Sequence, residues 1–442
     1  MTIRMDEGAA ELLDTLHRAG YAAYVVGGCV RDSLLGLTPH DWDLCTSALP
    51  QQGMELFGEE KCIPTGLQHG TVTVKQGGGL YEITTFRTEG AYTDGRHPDE
   101  VHFVPDVRED LARRDFTINA MAYNAKEGLV DPFGGQADLQ SGILRAVGVP
   151  HQRFTEDPLR ILRLYRFAAR FSFSIDPPTA QAAQELCAHL DCVSVERIEE
   201  ELAKLLSAPA PAAYLDEKIL GVVLPELSPE ALAAAKPVVD ACPAGEQALP
   251  VRLAALLLSL GEDGTRRTLR RLRCSNACIE ETAVLVREVV SGVPGAFSSD
   301  TNRAIPSPAL LPAATGSHPS GRSSEKLPAR PPVSLNIYAR RLLGKYNLCT
   351  VQRLAALGTA LQPEHAADFA ALSELAERLD ADGVCCRISQ LAVNGRDLMA
   401  AGVPAGPGIR KVLEALLDGV IREEYPNERQ ALLAAVQQLA AS

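Results

Sequence analysis

Apolar positions in the first 150 residues follow two different periods. Leu12, Leu13 and Leu16 fall on one face of an amphipathic stretch from Glu7 to Gly20, which predicts a helix. Short β-branched and aromatic runs predict strands at 24–26, 42–45, 71–75 and 80–86, the last two joined by glycines 77–79. Strands interleaved with short helices predict one mixed sheet with helices on one side.

After residue 150 the period-2 pattern nearly disappears. Leu, Ala, Glu and Arg at helical spacing predict helices from Pro158 to Val290 and from Ser334 to the end of the chain. Almost half of the residues from Pro294 to Pro332 are Pro, Ser or Gly, which predicts a flexible insertion. The expected domains are an α/β head at 1–150, a helical neck at 151–215, a helical body at 216–293, the insertion at 294–332, and a helical body and tail at 333–442.

Composition narrows the protein class. The chain has 442 residues with 46% apolar and 22% charged positions, which is typical of a globular protein with several domains. Its net charge of −13 excludes a general coat for nucleic acid, so RNA binding would need local Arg patches. The eleven cysteines form no CxxC pair, which favours reduced thiols, a cytoplasmic location and no disulfide-linked partner. Neither a signal peptide nor a membrane span of roughly 18 apolar residues is expected.

Gly27 and Gly28 stand between a predicted strand and a predicted helix, and Arg31 follows one turn later. Glycines let the backbone approach a phosphate closely, and N–H groups at a helix start favour an anion. Arg31 is then placed to hold a triphosphate oxygen. Taken alone, the pattern more often means a tight turn followed by a surface Arg.

Three carboxylates form the next candidate site. Asp41 and Asp43 are two apart on a predicted strand, so they share a face, where a Mg²⁺ ion would relieve their repulsion. Two solvated Asp side chains at a strand edge are the alternative. Glu82 is expected to share a face with Thr84 and Phe86, either completing a carboxylate trio or facing water at a sheet edge.

The order Gly-Gly, paired Asp and further strand carboxylate resembles the nucleotidyltransferase superfamily. Three more motifs narrow the resemblance: RRDFTINAMA at 113–122, DPFGG at 131–135 and EDPLRILRLYRFA at 156–168. The series resembles the bacterial class II CCA-adding enzymes, tRNA nucleotidyltransferases related to bacterial poly(A) polymerase. The resemblance is dense over residues 21–170 and continues more loosely through 269–272 and 391–398.

The resemblance implies an α/β nucleotidyltransferase head followed by an all-α neck, body and tail. It implies untemplated completion of the 3′ CCA end of tRNA from CTP and ATP, by two-metal transfer with release of pyrophosphate. It also implies Mg²⁺ on Asp41 and Asp43, and nucleotide contacts from Gly28, Arg31 and Arg114.

The EDxxR motif of this family acts as an amino-acid template, which carries over to Asp157 and Arg160, with Arg163 and Arg166 following. Their spacing places them along one helix face. A carboxylate accepts from the exocyclic amine of C or A, and a guanidinium donates to ring nitrogen and carbonyl oxygen. U and G would leave buried groups unpaired, which discriminates strongly.

Several alternatives stay open in the sequence. A CC-adding, A-adding or poly(A) polymerase relative is the main rival, and a non-catalytic tRNA-binding protein is another. The segment 87–98 favours full CCA addition, because a flexible loop near this position supports the switch from C to A in the family. An Arg cluster at 266–273, and a weaker one at Arg340, Arg341 and Lys345, suit tRNA phosphates or solvated helix faces.

Overall fold

The computed structural model describes residues 2–90, 100–290 and 334–441. The chain divides into two compact units, Met1–Glu226 and Leu227–Ser442. The predicted insertion at 294–332 lies outside the described residues, as do positions 91–98 of the segment 87–98.

All strands of the described residues belong to the first unit. They are β1 (Ala23–Val26), β2 (Leu44–Thr46), β3 (Cys62–Gly66), β4 (Thr71–Gln76), β5 (Gly79–Thr85), β6 (Arg87–Glu89), β7 (Val101–Phe103), β8 (Ala122–Asn124), β9 (Gly128–Val130), β10 (Ile143–Leu144) and β11 (Ser174–Ile175). The main sheet has the order β3-β4-β5-β2-β1-β8-β9. The sheet is mixed, because β2 and β5 pair in parallel while all other adjacent strands of the sheet pair antiparallel.

The helices of the first unit flank this sheet and continue beyond it. They are α1 (Glu7–Arg18), α2 (Gly28–Leu34), α3 (Pro50–Phe57), α4 (Val107–Ala112), α5 (Gly135–Ser141), α6 (Pro150–Glu156), α7 (Leu159–Phe171), α8 (Pro177–Leu186), α9 (Val195–Leu206) and α10 (Glu217–Val223). The predicted first helix is confirmed. Asp6 caps it by accepting a hydrogen bond from the N–H of Ala9, and its apolar face is buried.

Helices cover both faces of the main sheet, so the expectation of helices on one side is wrong. Tyr24 and Cys45 pack in one cluster with Leu111 of α4. Thr46, which points the opposite way from Cys45, lines a small cavity with Leu16 of α1 and Phe57 of α3. The centre of the sheet is buried on both faces for this reason, and every residue of β1 and β2 is buried.

The second unit is helical throughout 227–290 and 334–441, as the apolar spacing predicts. Its helices are α11 (Pro229–Ala241), α12 (Leu249–Leu257), α13 (Gly261–Arg271), α14 (Asn276–Val290), α15 (Leu335–Lys345), α16 (Leu348–Leu361), α17 (Ala366–Ala381), α18 (Gly395–Ala400), α19 (Pro407–Ile421) and α20 (Arg429–Ala441). Helix α14 packs against α12, α13 and α16. Leu398, Leu416 and Leu432 join α18, α19 and α20 in a separate apolar cluster.

Candidate active site

Asp41 and Asp43 lie in the segment that leads into β2, because β2 begins at Leu44 rather than at Trp42 as the sequence predicts. The backbone of Asp43 still extends the pairing, since its carbonyl oxygen accepts a hydrogen bond of 2.9 Å from the N–H of Val26. This bond fixes Asp43 directly beside the turn at Gly27. The pair is therefore held at the start of a central strand without belonging to its regular part.

The two carboxylates are exposed, and neither has a side-chain hydrogen bond or salt bridge with any residue the structure describes. Desolvation by the surrounding protein raises the pKa of Asp43 most strongly. The positive charge of Arg114 lowers this pKa, and the negative charges of Glu82 and Asp41 raise it further. Negative charge thus accumulates here without a protein partner that neutralises it.

Glu82 occupies the exposed face of β5, opposite Thr73 of β4. It does not share that face with Phe86, because β5 ends at Thr85 and Phe86 turns into the core with no exposed surface. Within the described residues, no three His, Cys, Asp or Glu side chains are grouped closely enough to hold one metal ion. The expected carboxylate trio is therefore not assembled, although the charge of Glu82 acts on Asp43.

Gly27 adopts a backbone that favours glycine, with φ of +77°. Its N–H donates to the carbonyl of Met121 at 3.0 Å. A Cβ atom at Gly27 would come within 2.8 Å of Nη1 of Arg114. The turn therefore leaves room for the Arg114 guanidinium, whose charge also acts on Asp43.

Arg114 is only loosely held by the protein. Its nearest carboxylate oxygen is Oδ2 of Asp110 at 3.6 Å, and its Nε is buried without a hydrogen-bond partner. A buried guanidinium N–H without a partner is costly, so this group is suited to an anionic ligand.

Arg31 is more enclosed than the sequence predicts, with 4% of its surface exposed. Its Nε donates to Asp32 at 2.7 Å and its Nη1 to Oδ1 of Asn119 at 2.5 Å. The guanidinium also lies over the rings of Phe167 and Phe171 of α7. Arg31 thus joins α2 to the helix that carries the predicted base template.

Asp157 and Arg160 lie at the start of α7 and bind different partners. Oδ1 of Asp157 accepts from the N–H of Leu159 at 3.1 Å, and Oδ2 accepts from Arg197 at 2.8 Å. Arg160 donates to Glu156 at 2.7 Å and to the carbonyl of Arg113 at 3.2 Å. Both side chains are held in place by charge-assisted hydrogen bonds.

Arg163 and Arg166 continue along α7 and are also paired. Arg163 donates twice to Oδ2 of Asp115, at 3.0 and 2.6 Å. Arg166 forms an ion pair of 2.5 Å with Glu201, and its guanidinium lies 3.8 Å from the centre of the Phe167 ring. Burial acts to raise the pKa of Asp115, but the Arg163 charge and the hydrogen bonds from Asn119 and Arg163 outweigh it, so the pKa falls below its usual range.

Three residues near the template, Asn119, Arg197 and Glu201, are not predicted from the sequence. Asn119 stands inside the RRDFTINAMA motif, but its amide joins Arg31 to Asp115 only in the folded chain. Arg197 and Glu201 lie four residues apart on α9, which reads as an ordinary amphipathic helix. Their partners are set by the packing of α9 against α7, for which the sequence carries no local signal.

The Arg clusters of the second unit divide into paired and unpaired members. Arg266 pairs with Glu262 at 3.0 Å and with Glu280. Arg267 and Arg270 are exposed and have no ion-pair partner within the described residues, while Arg271 and Arg273 are exposed nearby. In the weaker cluster, Arg340 pairs with Glu423 and Arg341 with Asp418.

The sequence predicts no membrane span and reduced thiols. Across the described ranges, no helix is long and apolar enough to cross a membrane. All eleven cysteines carry free thiols, including the adjacent Cys385 and Cys386.

Family models match three parts of the chain. The Poly A polymerase head domain matches residues 23–145, and tRNA nucleotidyltransferase domain 2 matches residues 334–436. Between them, a model described as an RNA and SrmB binding site of polymerase A matches residues 172–230.

Curated relatives match nearly the whole chain. A CCA-adding enzyme of Lactobacillus delbrueckii subsp. bulgaricus is 36% identical over 431 residues, covering 96% of each chain. A CCA-adding enzyme of Geobacillus stearothermophilus is 34% identical over 438 residues, covering 96% of this chain and 95% of the relative. The crystal structure of the Bacillus stearothermophilus CCA-adding enzyme in complex with CTP is similar with a TM-score of 0.77 at 28% identity, covering 99% of this chain and 98% of that one.

Proposed function

The chain belongs to the family of CCA-adding enzymes, and we propose how its own residues carry out the tRNA nucleotidyltransferase reaction of that family. The enzyme completes the 3′ CCA end of tRNA from CTP and ATP. In each step the tRNA 3′-hydroxyl oxygen bonds to the α-phosphorus of the nucleotide, and pyrophosphate leaves.

Asp41 and Asp43 are the proposed Mg²⁺ ligands. They fit a hard divalent cation because both are exposed carboxylates with free acceptor oxygens, next to a third negative charge on Glu82. Bound Mg²⁺ would activate the attacking hydroxyl and stabilise the leaving pyrophosphate. This pair of unpartnered carboxylates is the observation that carries the proposal.

Arg114 and Gly28 are proposed to hold the nucleotide triphosphate. The positive charge of Arg114 acts on Asp43 of the carboxylate pair, and phosphate oxygens would pair with the exposed part of its guanidinium. Gly28 begins α2 and allows the backbone to approach the anion closely. Arg31 is proposed to support this site rather than to contact the triphosphate, since its guanidinium already donates to Asp32 and Asn119.

Asp157 and Arg160 are proposed to select C and A by their Watson–Crick edges. Asp157 is an acceptor held in one orientation, and Arg160 is a donor held by Glu156 and the Arg113 carbonyl. Arg163 and Arg166, locked by Asp115 and Glu201, are proposed to position the nucleotide rather than to choose it.

The predicted domains supply the remaining functions. The head at 1–150 carries the chemistry, the neck at 151–215 selects the base, and the body and tail bind tRNA. Arg267 and Arg270 are the proposed phosphate contacts of the body, because they are exposed cations without a partner in the described residues. A cytoplasmic location fits the eleven free thiols, which a reducing compartment preserves.

The decisive experiment incubates the protein with tRNA transcripts that lack CCA, CA or A, supplying each nucleotide separately with Mg²⁺. CTP should extend the first two transcripts and ATP only the third. Glu82→Gln tests the predicted catalytic contribution of Glu82, with a slower rate expected for both nucleotides. Addition of only C or only A would reject full CCA activity in favour of a restricted relative.

A further inference from the structure

Helix α9 packs along α7 and presents two opposite charges to it, one helical turn apart. Arg197 pairs with Asp157 at 2.8 Å, and Glu201 pairs with Arg166 at 2.5 Å and with Arg163 at 3.7 Å. The positive residue of α9 therefore meets the acidic member of the proposed template, and the negative residue meets its basic members. The charge order on α9 complements the charge order on the template.

The contact with Arg197 fixes the orientation of the Asp157 carboxylate. Each oxygen accepts one hydrogen bond from the protein, Oδ1 from the N–H of Leu159 and Oδ2 from Arg197. A carboxylate oxygen has a second lone pair, so both oxygens can still accept a hydrogen bond from a base amine. A carboxylate offers acceptors but no donor to the carbonyl of U or G.

Glu201 has a different relation to the template. It is 5% exposed and is shared by two Arg residues, one of which, Arg163, is also held by Asp115. Removing Glu201 would leave Arg166 with an uncompensated buried charge and allow both Arg side chains to shift. No acceptor that faces the base would be lost.

We propose that Arg197 is a positioning residue that sets base selection through Asp157, while Glu201, one turn later, positions Arg163 and Arg166 without setting that selection. The proposal rests on the template function proposed for Asp157. It assigns separate contributions to two residues of one helix, neither of which belongs to the EDxxR motif.

The test measures single-turnover incorporation of all four nucleotides onto tRNA that ends before the CCA sequence. Arg197→Ala should reduce the preference for CTP over UTP about ten- to hundredfold, because a displacement of about 1 Å at a positioned group has effects of that size. UTP incorporation should rise relative to wild type, and Arg197→Lys should restore part of the preference. Glu201→Gln should slow all four nucleotides by a similar factor.

Lys204→Ala is the matched control, because Lys204 lies on the same helix in an exposed pair with Glu200. It should leave rates and preferences unchanged, and thermal unfolding of every variant identifies loss of fold. An Arg197→Ala protein that slows all four nucleotides equally would overturn the proposal, as would an unchanged preference. If Arg197→Ala does not fold, Arg197→Lys decides. A preference for CTP over UTP below that of wild type supports the proposal, and a wild-type preference counts against it.

Asp157→Asn in the same assay separates this proposal from the proposed function. If Asp157→Asn relaxes base selection and the Arg197 variants do not, the contribution of Arg197 is rejected and the template stands. If Asp157→Asn retains selection, the template itself is wrong and Arg197 falls with it.

Discussion

Asp43 and Asp115 are two carboxylates of the same unit with opposite electrostatic surroundings. Asp43 stands beside two other acidic side chains and has a raised pKa, first from desolvation. Asp115 is buried, yet Arg163 and Asn119 supply hydrogen bonds that lower its pKa. Charge is unbalanced where the proposed metal and triphosphate bind, and balanced where the proposed base template must keep its shape.

The arginines of the two regions repeat this contrast. Arg114, near Asp43, has a buried Nε–H without a partner and a carboxylate no closer than 3.6 Å. Arg163, near Asp115, donates two hydrogen bonds and lies close to a second acid. A ligand-binding region can contain polar groups without hydrogen-bond partners, because the bound ligands supply those partners.

Removing either acid of the unbalanced region should have the largest effect. Asp41→Ala and Asp43→Ala should each abolish CMP and AMP incorporation, since a lone carboxylate cannot place the metal ions, while tRNA binding survives. Incorporation with Mg²⁺ and a tRNA gel-shift assay measure the two properties. Near-normal turnover in either variant would refute the metal assignment.

Neutralising the acid of the balanced region should damage the fold instead. Asp115→Asn should lower the free energy of unfolding by about 3 kcal/mol, because it leaves Arg163 without its main counter-charge. The lowered pKa means that this stability is present above the unfolded pKa and is lost as pH falls through the folded value. Urea unfolding at neutral and acidic pH measures the loss, and a difference that persists unchanged at low pH would contradict it.

Arg160→Ala should have a smaller and more selective effect. It removes the proposed donor to the base, so discrimination against UTP and GTP should fall by one to two decades, equivalent to about 1–3 kcal/mol. Single-turnover rates with each nucleotide measure this change, and Glu82→Gln, for which only a slower rate is expected, serves as the control that should show no change in preference. An equal slowing of all four nucleotides would make Arg160 a general triphosphate contact.

Asp43→Asn should have the smallest effect on stability, and of the opposite sign to Asp115→Asn. The folded chain holds the Asp43 proton more tightly than the unfolded chain, so ionisation of Asp43 removes stability as pH rises through its raised pKa. The amide should therefore raise the Tm of the metal-free protein at neutral pH, with the gain vanishing in acid. A lowered Tm would show that the negative charge of Asp43 is compensated in the folded protein, against this prediction.

The sequence predicts the helical regions and four of the seven strands of the main sheet, β1, β2, β4 and β5, because apolar periods of 2 and 3.6 directly reflect burial. It does not predict β3, β8 or β9. It misplaces the start of β2, since the pattern around Trp42 does not show where backbone pairing begins. It also places Phe86 on the face of Glu82, which is wrong because β5 ends at Thr85 and Phe86 is buried. The candidate site residues come from the family resemblance, whereas Arg197 and Glu201 acquire partners only through the packing of α9 on α7.

The turn at Gly27 has a genetic consequence. Every single-base change in a glycine codon that is not synonymous gives either a stop or a residue with a Cβ atom. At this position a Cβ atom would meet the guanidinium of Arg114 at 2.8 Å, on a backbone with φ of +77°. No single-base change that replaces Gly27 is therefore expected to be neutral. Random mutagenesis under selection for activity should return only synonymous changes at its codon.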